Sequence, residues 1–124
     1  MAAAKKVLII DDDPAICDSV KAVLEAVGFE TAVAYSGKDG VAAFRRAHPD
    51  IVLCDMMMED LDAGARAAKI MRGERKDVPI FLLSSIGDAT AENVGFGGLG
   101  FSGVFQKPVN FDLLLAVMGR LAKN

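Results

Sequence analysis

The sequence predicts an α/β domain in which a five-stranded parallel sheet is doubly wound, with helices on both faces. Five short apolar runs alternate with segments of helical hydrophobic period, and this alternation favours parallel strands joined by crossover helices. The length of 124 residues suits one domain, spanning 1–124, that can bury its own core. A composition that is 52% hydrophobic and 25% charged favours a folded chain over a disordered one.

The first strand is predicted at 6–10, and Asp13 and Pro14 open the helix that follows it. Aspartate is a favourable N-cap, and proline is pre-organised for the first helical position. Gly28 ends the helix before a second short strand at 29–34. The residues predicted to form the buried face of this helix have helical spacing: Ile16, Val20, Val23, Leu24 and Val27.

Ser36 caps a second helix that runs to about Ala47, although Gly40 in its first turns disfavours a helix. A turn then leads into the third strand, 51–55, in which four apolar residues run directly into Asp55. An uninterrupted apolar run of this kind is typical of a strand that is buried on both faces of a parallel sheet.

The remaining predicted elements are a helix from Asp62 to about Arg72, strands at 80–83 and 103–106, and a last helix from near Asn110. Between the last two strands, residues 95–103 contain five glycines. Each glycine destabilises a helix interior by about 1 kcal/mol relative to alanine. We therefore expect the helix in this region to be short, at 88–94, or disordered, with a mobile and irregular segment after it.

Charge and hydropathy argue against several classes of protein. The net charge is −3 and the chain has no basic run, which disfavours direct binding of nucleic acid. No apolar run approaches the roughly 18 residues of a membrane span, and no signal peptide is evident, so we expect a soluble, cytoplasmic protein. Cys17 and Cys54 lack metal-ligand spacing, and we expect both to be buried free thiols. Since the chain ends directly after the last predicted helix, we expect a stand-alone domain or one cut from a longer protein.

Four of the five predicted strands end in residues that can take part in chemistry. These are Asp11, Asp12 and Asp13 after the first strand, Asp55 in the third, Ser84 and Ser85 at the carboxyl end of the fourth, and Lys107 after the fifth. Doubly wound sheets bind ligands at the carboxyl ends of their strands, where the strand order reverses. Carboxylates without His or Cys suit a hard cation such as Mg²⁺, which also offsets their mutual repulsion. A carboxylate whose charge is screened can attack phosphorus, and we interpret Asp55 as this nucleophile.

These motifs together resemble the receiver domain of two-component response regulators. The resemblance rests on the strand ending in Asp11-Asp12-Asp13-Pro14, on Asp55 followed by Met58 and Asp62, on Ser84, and on Lys107-Pro108. It covers essentially the whole chain and implies a flavodoxin-like (βα)5 fold. The catalysis that it implies is limited to the chain's own Mg²⁺-dependent phosphorylation and dephosphorylation.

The resemblance also implies a role for each matching residue. Asp55 corresponds to the phospho-acceptor, Lys107 to the ammonium that pairs with a phosphoryl oxygen, and Ser84 to the switch hydroxyl. Pro108 follows Lys107 in a cis-prone peptide. The implied Mg²⁺ site consists of Asp12, which ligates the ion directly, Asp11, which usually acts on it through water, Asp55, and the backbone carbonyl of Met57. The implied partners are a histidine kinase or phosphotransfer protein, which donates the phosphoryl group, and a downstream protein that reads the phosphorylated state.

Several positions depart from the family pattern. Glu59 stands where proline is usual, Ala63 where glycine is usual, and Val104 where many receivers carry a Tyr or Phe that changes rotamer on phosphorylation. We therefore expect the output to depend on an order–disorder change in the glycine-rich segment 95–103.

Two other functions remain open. A pseudo-receiver would keep the fold as a protein-interaction module and would not use the phosphate cycle. A flavodoxin-like electron carrier shares the sheet order, but the acidic triplet Asp11-Asp12-Asp13 would repel the phosphate of its flavin.

Overall fold

A computed structural model of the chain describes residues 5–56, 58, 63–85 and 101–123. The strands are β1 (Lys6–Ile10), β2 (Glu30–Ala34), β3 (Ile51–Asp55), β4 (Ile80–Ser84) and β5 (Gly103–Gln106). The helices in the described part are α1 (Pro14–Ala26), α2 (Gly37–Ala47), α3 (Ala63–Glu74) and the C-terminal helix (Phe111–Ala122). All neighbouring strands pair in parallel, in the order β2-β1-β3-β4-β5, so the prediction of a doubly wound parallel sheet is confirmed.

Two apolar cores lie on opposite faces of the sheet because side chains alternate along each strand. Leu8 and Ile10 of β1 belong to the core under α2 and α3. Val7 and Ile9 belong to the other core, with residues of α1 and the C-terminal helix. Every residue of β3 and β4 is buried, which explains why these strands have no polar face in the sequence.

The strand order reverses between β1 and β3. From β1 the chain moves outward to β2, and it then crosses back to pair β3 with the other side of β1. Ile10 is level with Cys54 across this pair, so the residues that follow them, Asp11 and Asp55, emerge side by side. This is the edge at which ligands of doubly wound sheets bind.

Helix α1 begins as the sequence predicts and ends one residue earlier than its apolar pattern indicates. The Asp13 carboxylate accepts a hydrogen bond from the amide of Ala15 at 2.9 Å. The prediction that Val27 is buried is wrong, since its side chain is 55% exposed. The helix ends at Ala26, and Gly28 adopts a φ of 98°, so Val27 lies in the turn beyond the buried face.

The packing of α2 accounts for the unfavourable Gly40. A Cβ atom at this position would lie 2.6 Å from Cδ1 of Ile10, whose side chain is fully buried. Glycine therefore allows α2 to approach β1 closely, and this packing offsets the weak helix propensity of the residue.

Some sequence predictions fall outside the described residues. They include the N-cap at Asp62, the short helix at 88–94, and nearly all of the glycine-rich segment. The two cysteines are described, and both are buried free thiols as predicted. None of the helices in the described ranges has the length and apolar character needed to cross a membrane.

Candidate functional site

Three carboxylates converge at the carboxyl ends of β1 and β3. Asp11 follows β1 and is fully buried, Asp12 is exposed beside it, and Asp55 closes β3 with 5% exposure. One carboxylate oxygen from each of the three residues lies within 4.8 Å of the other two. The sequence prediction that the ends of the first and third strands meet is therefore confirmed in geometry.

Lys107 brings a cation into this cluster from the end of β5. Its Nζ lies 2.7 Å from Oδ2 of Asp11 and 3.1 Å from Oδ1 of Asp55. The backbone places it there, because the Lys107 amide donates to the carbonyl of Ser84 at 2.7 Å and extends the pairing of β4 with β5. The following peptide, Lys107–Pro108, is cis. A single ammonium thus bridges the two buried carboxylates.

Hydrogen bonds to its side chain and backbone fix the position of Asp11. Its Oδ1 accepts from the amide of Asp13 at 2.9 Å, and its amide donates to the carbonyl of Ala34 at 3.1 Å. Behind it, the Cys17 thiol donates to its backbone carbonyl at 3.4 Å. Asp13 is therefore an N-cap, as predicted, and its amide also orients the buried carboxylate. The sequence did not reveal this contact of Cys17, since a thiol in the apolar face of a helix looks like any small core residue.

Burial and charge shift the ionisation of the cluster. The pKa of Asp55 is raised to about 6, and burial is the largest cause; the charges of Asp11 and Asp12 act in the same direction, and Lys107 opposes them. For Lys107, burial acts to lower the pKa of the ammonium, but its contacts with Asp11 and Asp55 outweigh burial and raise it. The site therefore contains more negative charge than its single ammonium neutralises.

A pocket of about 330 Å³ opens over the cluster. It is lined by Asp11, Asp12, Asp13, Ile16, Asp55, Ser85 and Lys107. Carboxylate and hydroxyl oxygens lie together with one ammonium in this lining, and no His or Cys is among these residues. The donor set suits a hard divalent cation together with an anionic group. Oδ2 of Asp11 is buried, and the ammonium of Lys107 lies 2.7 Å from it.

The two serines at the end of β4 are placed differently. Ser84 is 2% exposed, and its hydroxyl donates to the carbonyl of Ser85 at 3.3 Å. Ser85 is exposed and lines the pocket. The structure brings both residues to the edge that carries Asp55, but in this conformation it is Ser85 that borders the open space.

Gly64, near the start of α3, lies against the backbone of Asp55 and Met56. Its amide donates to the carbonyl of Met56 at 2.9 Å. A Cβ atom at Gly64 would lie 2.1 Å from the backbone oxygen of Asp55, so only glycine fits. The sequence pattern drew attention only to Ala63, which stands where glycine is usual in the family, and it indicated no role for Gly64. Met57 and Glu59 lie outside the described residues, and Met58 packs on the core under α2 and α3.

Comparison with protein families identifies one match that covers most of the chain. The sequence model of the response regulator receiver domain family matches residues 7–118. A DNA-binding dual master transcriptional regulator, RpaA of Synechocystis sp., is 33% identical over 112 residues, which are 90% of this chain and 46% of the relative. The DNA-binding response regulator MtrA of Mycolicibacterium smegmatis is 31% identical over 121 residues, which are 97% of this chain and 52% of the relative. The chain thus spans about half the length of these two relatives.

Solved structures of similar proteins cover nearly the whole chain. The receiver domain of Francisella response regulator 1452 superposes with a TM-score of 0.83 at 30% identity, covering 96% of this chain and 97% of that one. The chemotaxis protein CheY4 of Vibrio cholerae superposes with a TM-score of 0.84 at 26% identity, covering 96% of this chain and 99% of that one. The flavodoxin-like five-stranded fold is confirmed by these likenesses.

Proposed function

Because this chain belongs to the response regulator receiver domain family of two-component systems, we propose that it accepts a phosphoryl group on the carboxylate of Asp55 in a Mg²⁺-dependent reaction. One observation carries the proposal. Asp55 Oδ1 lies 3.1 Å from the Lys107 ammonium and beside two further carboxylates that can share a cation. A carboxylate in this setting has both an opposite charge for an incoming phosphate and a place for a metal ion.

In the proposed site, Asp11, Asp12 and Asp55 would hold the ion through carboxylate oxygens, and the backbone carbonyl of Met57 is the further ligand that the family resemblance implies. An ion held there would screen the negative charge that separates a carboxylate nucleophile from a phosphate. It would also favour the ionised form of Asp55, whose pKa is otherwise about 6. The carboxylate is then available as a nucleophile at neutral pH.

The proposed transfer moves one phosphoryl group. An oxygen of ionised Asp55 forms a bond to phosphorus, while the bond from phosphorus to the donor breaks and the donor keeps the electron pair. Lys107 pairs with a phosphoryl oxygen, for which it must loosen its contact with Asp55. Ser84 has to rotate its hydroxyl away from the Ser85 carbonyl to donate to another phosphoryl oxygen. The phosphoryl donor is a histidine kinase, a phosphotransfer protein or a small phosphodonor, and a downstream protein reads the result.

A second function is favoured by one observation on β5. Val104 is partly buried and packs against the core under α2 and α3, so this strand carries no aromatic ring at the position that reports phosphorylation in many receivers. A pseudo-receiver that binds a protein partner without phosphorylation would have no need of that ring. The two functions differ in whether Asp55 becomes phosphorylated.

Intact-mass spectrometry after incubation with acetyl phosphate and Mg²⁺ distinguishes them. We expect one added phosphoryl group in the wild type, none in Asp55→Asn, and none when EDTA replaces Mg²⁺. Asp18→Asn, which changes an exposed aspartate on α1, should still be modified once. A wild type that stays unmodified with this phosphodonor and with a phosphorylated histidine kinase would favour the pseudo-receiver, and modification that survives in Asp55→Asn would remove Asp55 from the role of acceptor.

A further inference from the structure

A groove of about 330 Å³, called here the amino-edge groove, lies at the edge of the sheet opposite Asp55. Three parts of the chain line it: the turn at 27–29, the C-terminal helix at Leu115, Gly119 and Ala122, and Lys5. Lys5 directly precedes β1 and the turn directly precedes β2, which places the groove at the amino ends of these strands. None of its lining residues is shared with the pocket over Asp55, so the groove does not depend on the proposed function.

The lining of the amino-edge groove is mainly apolar. Val27 is 55% exposed in the described part of the chain, although the helical pattern of α1 predicts its burial. Phe29 and Leu115 are only partly buried, and both pack on the border of the core that includes the C-terminal helix. Lys5 is the one charged residue among those that line the groove in the described ranges. An apolar occupant therefore suits this surface.

Gly119 leaves room for a close approach to the C-terminal helix. Glycine is among the least favourable residues within a helix, and a Cβ atom at this position would have no described atom within 4 Å outside its own helix. Packing against the described chain therefore does not require this glycine, in contrast to Gly64. Leu115, Gly119 and Ala122 share one face of the helix, and backbone or small side chains can lie against that face.

The chain itself brings an apolar segment to the groove. Residues 1–4, which lie outside the described part, are one methionine and three alanines. The carbonyl of Lys5 accepts from the amide of Glu30 at 2.9 Å, next to the parallel pairing of β1 with β2. If the same register continues towards residue 1, Ala3 comes level with Val27 at the groove. Four residues span at most about 13 Å, so the whole segment stays near this surface.

The alternation of side chains along β1 selects the residue that faces the groove. Val7 and Ile9 point into the core that includes the C-terminal helix, and Lys5, two residues before Val7, lines the groove on the same side. In an extended chain, Ala3 therefore faces the groove and Ala4 faces the other side of the sheet.

We propose that residues 1–4 dock in the amino-edge groove, with Ala3 against Val27 and Gly119. The docked segment shields the exposed valine and joins the turn after α1 to the C-terminal helix. It carries no charged side chain that would have to be desolvated. Because the segment is linked directly to the groove, its effective concentration is of roughly millimolar order, which favours it over a second copy of the chain or a separate partner in dilute solution.

Thiol labelling tests whether the groove is covered. Gly119→Cys places a thiol in the groove, and Gly73→Cys places one at an exposed helical glycine that also has open space around its Cβ position. Cys17 and Cys54 are fully buried and should not compete. The rate with an aromatic disulfide reagent is divided by the rate of the same variant unfolded in urea, which removes differences in intrinsic reactivity. We expect the thiol at position 119 to react about tenfold more slowly than the thiol at position 73.

Substitutions within the segment identify what covers the groove. Ala3→Asn would place a polar amide against apolar groups and should raise the labelling rate at position 119 by about fivefold to tenfold. Ala4→Asn is the matched control, since its side chain faces away from the groove, and it should change this rate by less than about twofold. Neither substitution should alter labelling at position 73. Val27→Cys repeats the measurement from the other side of the groove, which guards against disturbance by the thiol at position 119.

Four results would overturn the proposal. Labelling at positions 119 and 27 as fast as at position 73 would show that the groove is open. Equal acceleration by Ala3→Asn and Ala4→Asn would show a general loosening of the chain before β1. Protection that survives Ala3→Asn and increases with protein concentration would identify a second copy of the chain as the occupant. Protection that neither Ala3→Asn nor dilution changes would show that another part of the protein covers the groove.

Discussion

Replacement of Gly64 by alanine tests how the position of Asp55 is set. The new Cβ would lie 2.1 Å from the oxygen of Asp55 and 2.7 Å from Cα of Met56. Both are backbone atoms, which cannot rotate away as a side chain can. Since carbon contacts are favourable at about 3.5 Å or more, the start of α3 or the end of β3 must move by roughly 1 Å.

The expected loss of stability follows from two opposing effects. Forced overpacking destabilises a protein by about 1–3 kcal/mol, and contact with backbone atoms places this substitution at the upper end. The gain in helix propensity from glycine to alanine is at most about 1 kcal/mol. We expect Gly64→Ala to lower the free energy of unfolding by about 2 kcal/mol, measured by urea denaturation followed by circular dichroism.

Gly73 is the matched control, because it belongs to the same helix and a Cβ there would have no atom within 4 Å. Gly73→Ala should therefore leave stability unchanged or raise it by up to about 1 kcal/mol. In the acetyl phosphate reaction, Gly64→Ala should react at least about tenfold more slowly than Gly73→Ala, since it displaces the proposed nucleophile. If both variants were equally stable and equally reactive, α3 would not restrain Asp55 in the way that these contacts indicate.

Three further predictions concern the carboxylate cluster. In EDTA, Asp55→Asn should be more stable than the wild type at pH 7 by up to about 3 kcal/mol, because Asp55 has a folded pKa of about 6 against 3.8 in the unfolded chain. The contribution of Asp55 to the stability of the wild type is fully present below pH 3.8 and is lost as the pH rises to 6. Urea denaturation should therefore show that the difference in stability between Asp55→Asn and the wild type grows across that window; a constant difference would contradict this. Lys107→Met leaves Asp11 and Asp55 without their cation and should lower stability at pH 7 by about 3 kcal/mol, with part of the loss recovered in Mg²⁺; an equal loss with and without Mg²⁺ would argue against a cation site. Saturating Mg²⁺ should stabilise the wild type by about 2–3 kcal/mol in a thermal melt, and Asp12→Asn should lose most of this effect while Asp13→Asn keeps it, since asparagine also serves as an N-cap.

Helix starts and strand limits could be predicted because they depend on nearby residues. Ser36 caps α2 by accepting from the amide of Asp39 at 3.0 Å, and Asn110 caps the C-terminal helix by accepting from the amide of Leu113 at 3.1 Å. The prediction failed at Val27, where a helical apolar pattern continues for one residue beyond the end of the helix. Hydrophobic periodicity predicts which face a residue would occupy if the helix continued. Because the chain turns at Gly28, Val27 is no longer part of the helix, and the periodicity does not apply to it.

Long-range contacts were harder to predict. Nothing in the sequence indicated that Gly64 lies against the Asp55 backbone, since this fit depends on how α3 approaches β3 in space.

The sequence by itself determined the parallel α/β architecture and the residues that gather at its carboxyl edge. It could do so because apolar runs, caps and strand-terminal acids act locally, and the rules for parallel sheets then bring the strand ends together. The tertiary structure alone decided that Lys107 bridges Asp11 and Asp55 and that Ser85 borders the pocket beside a buried Ser84. Both features depend on distances between residues far apart in the chain, which the close packing of the core sets.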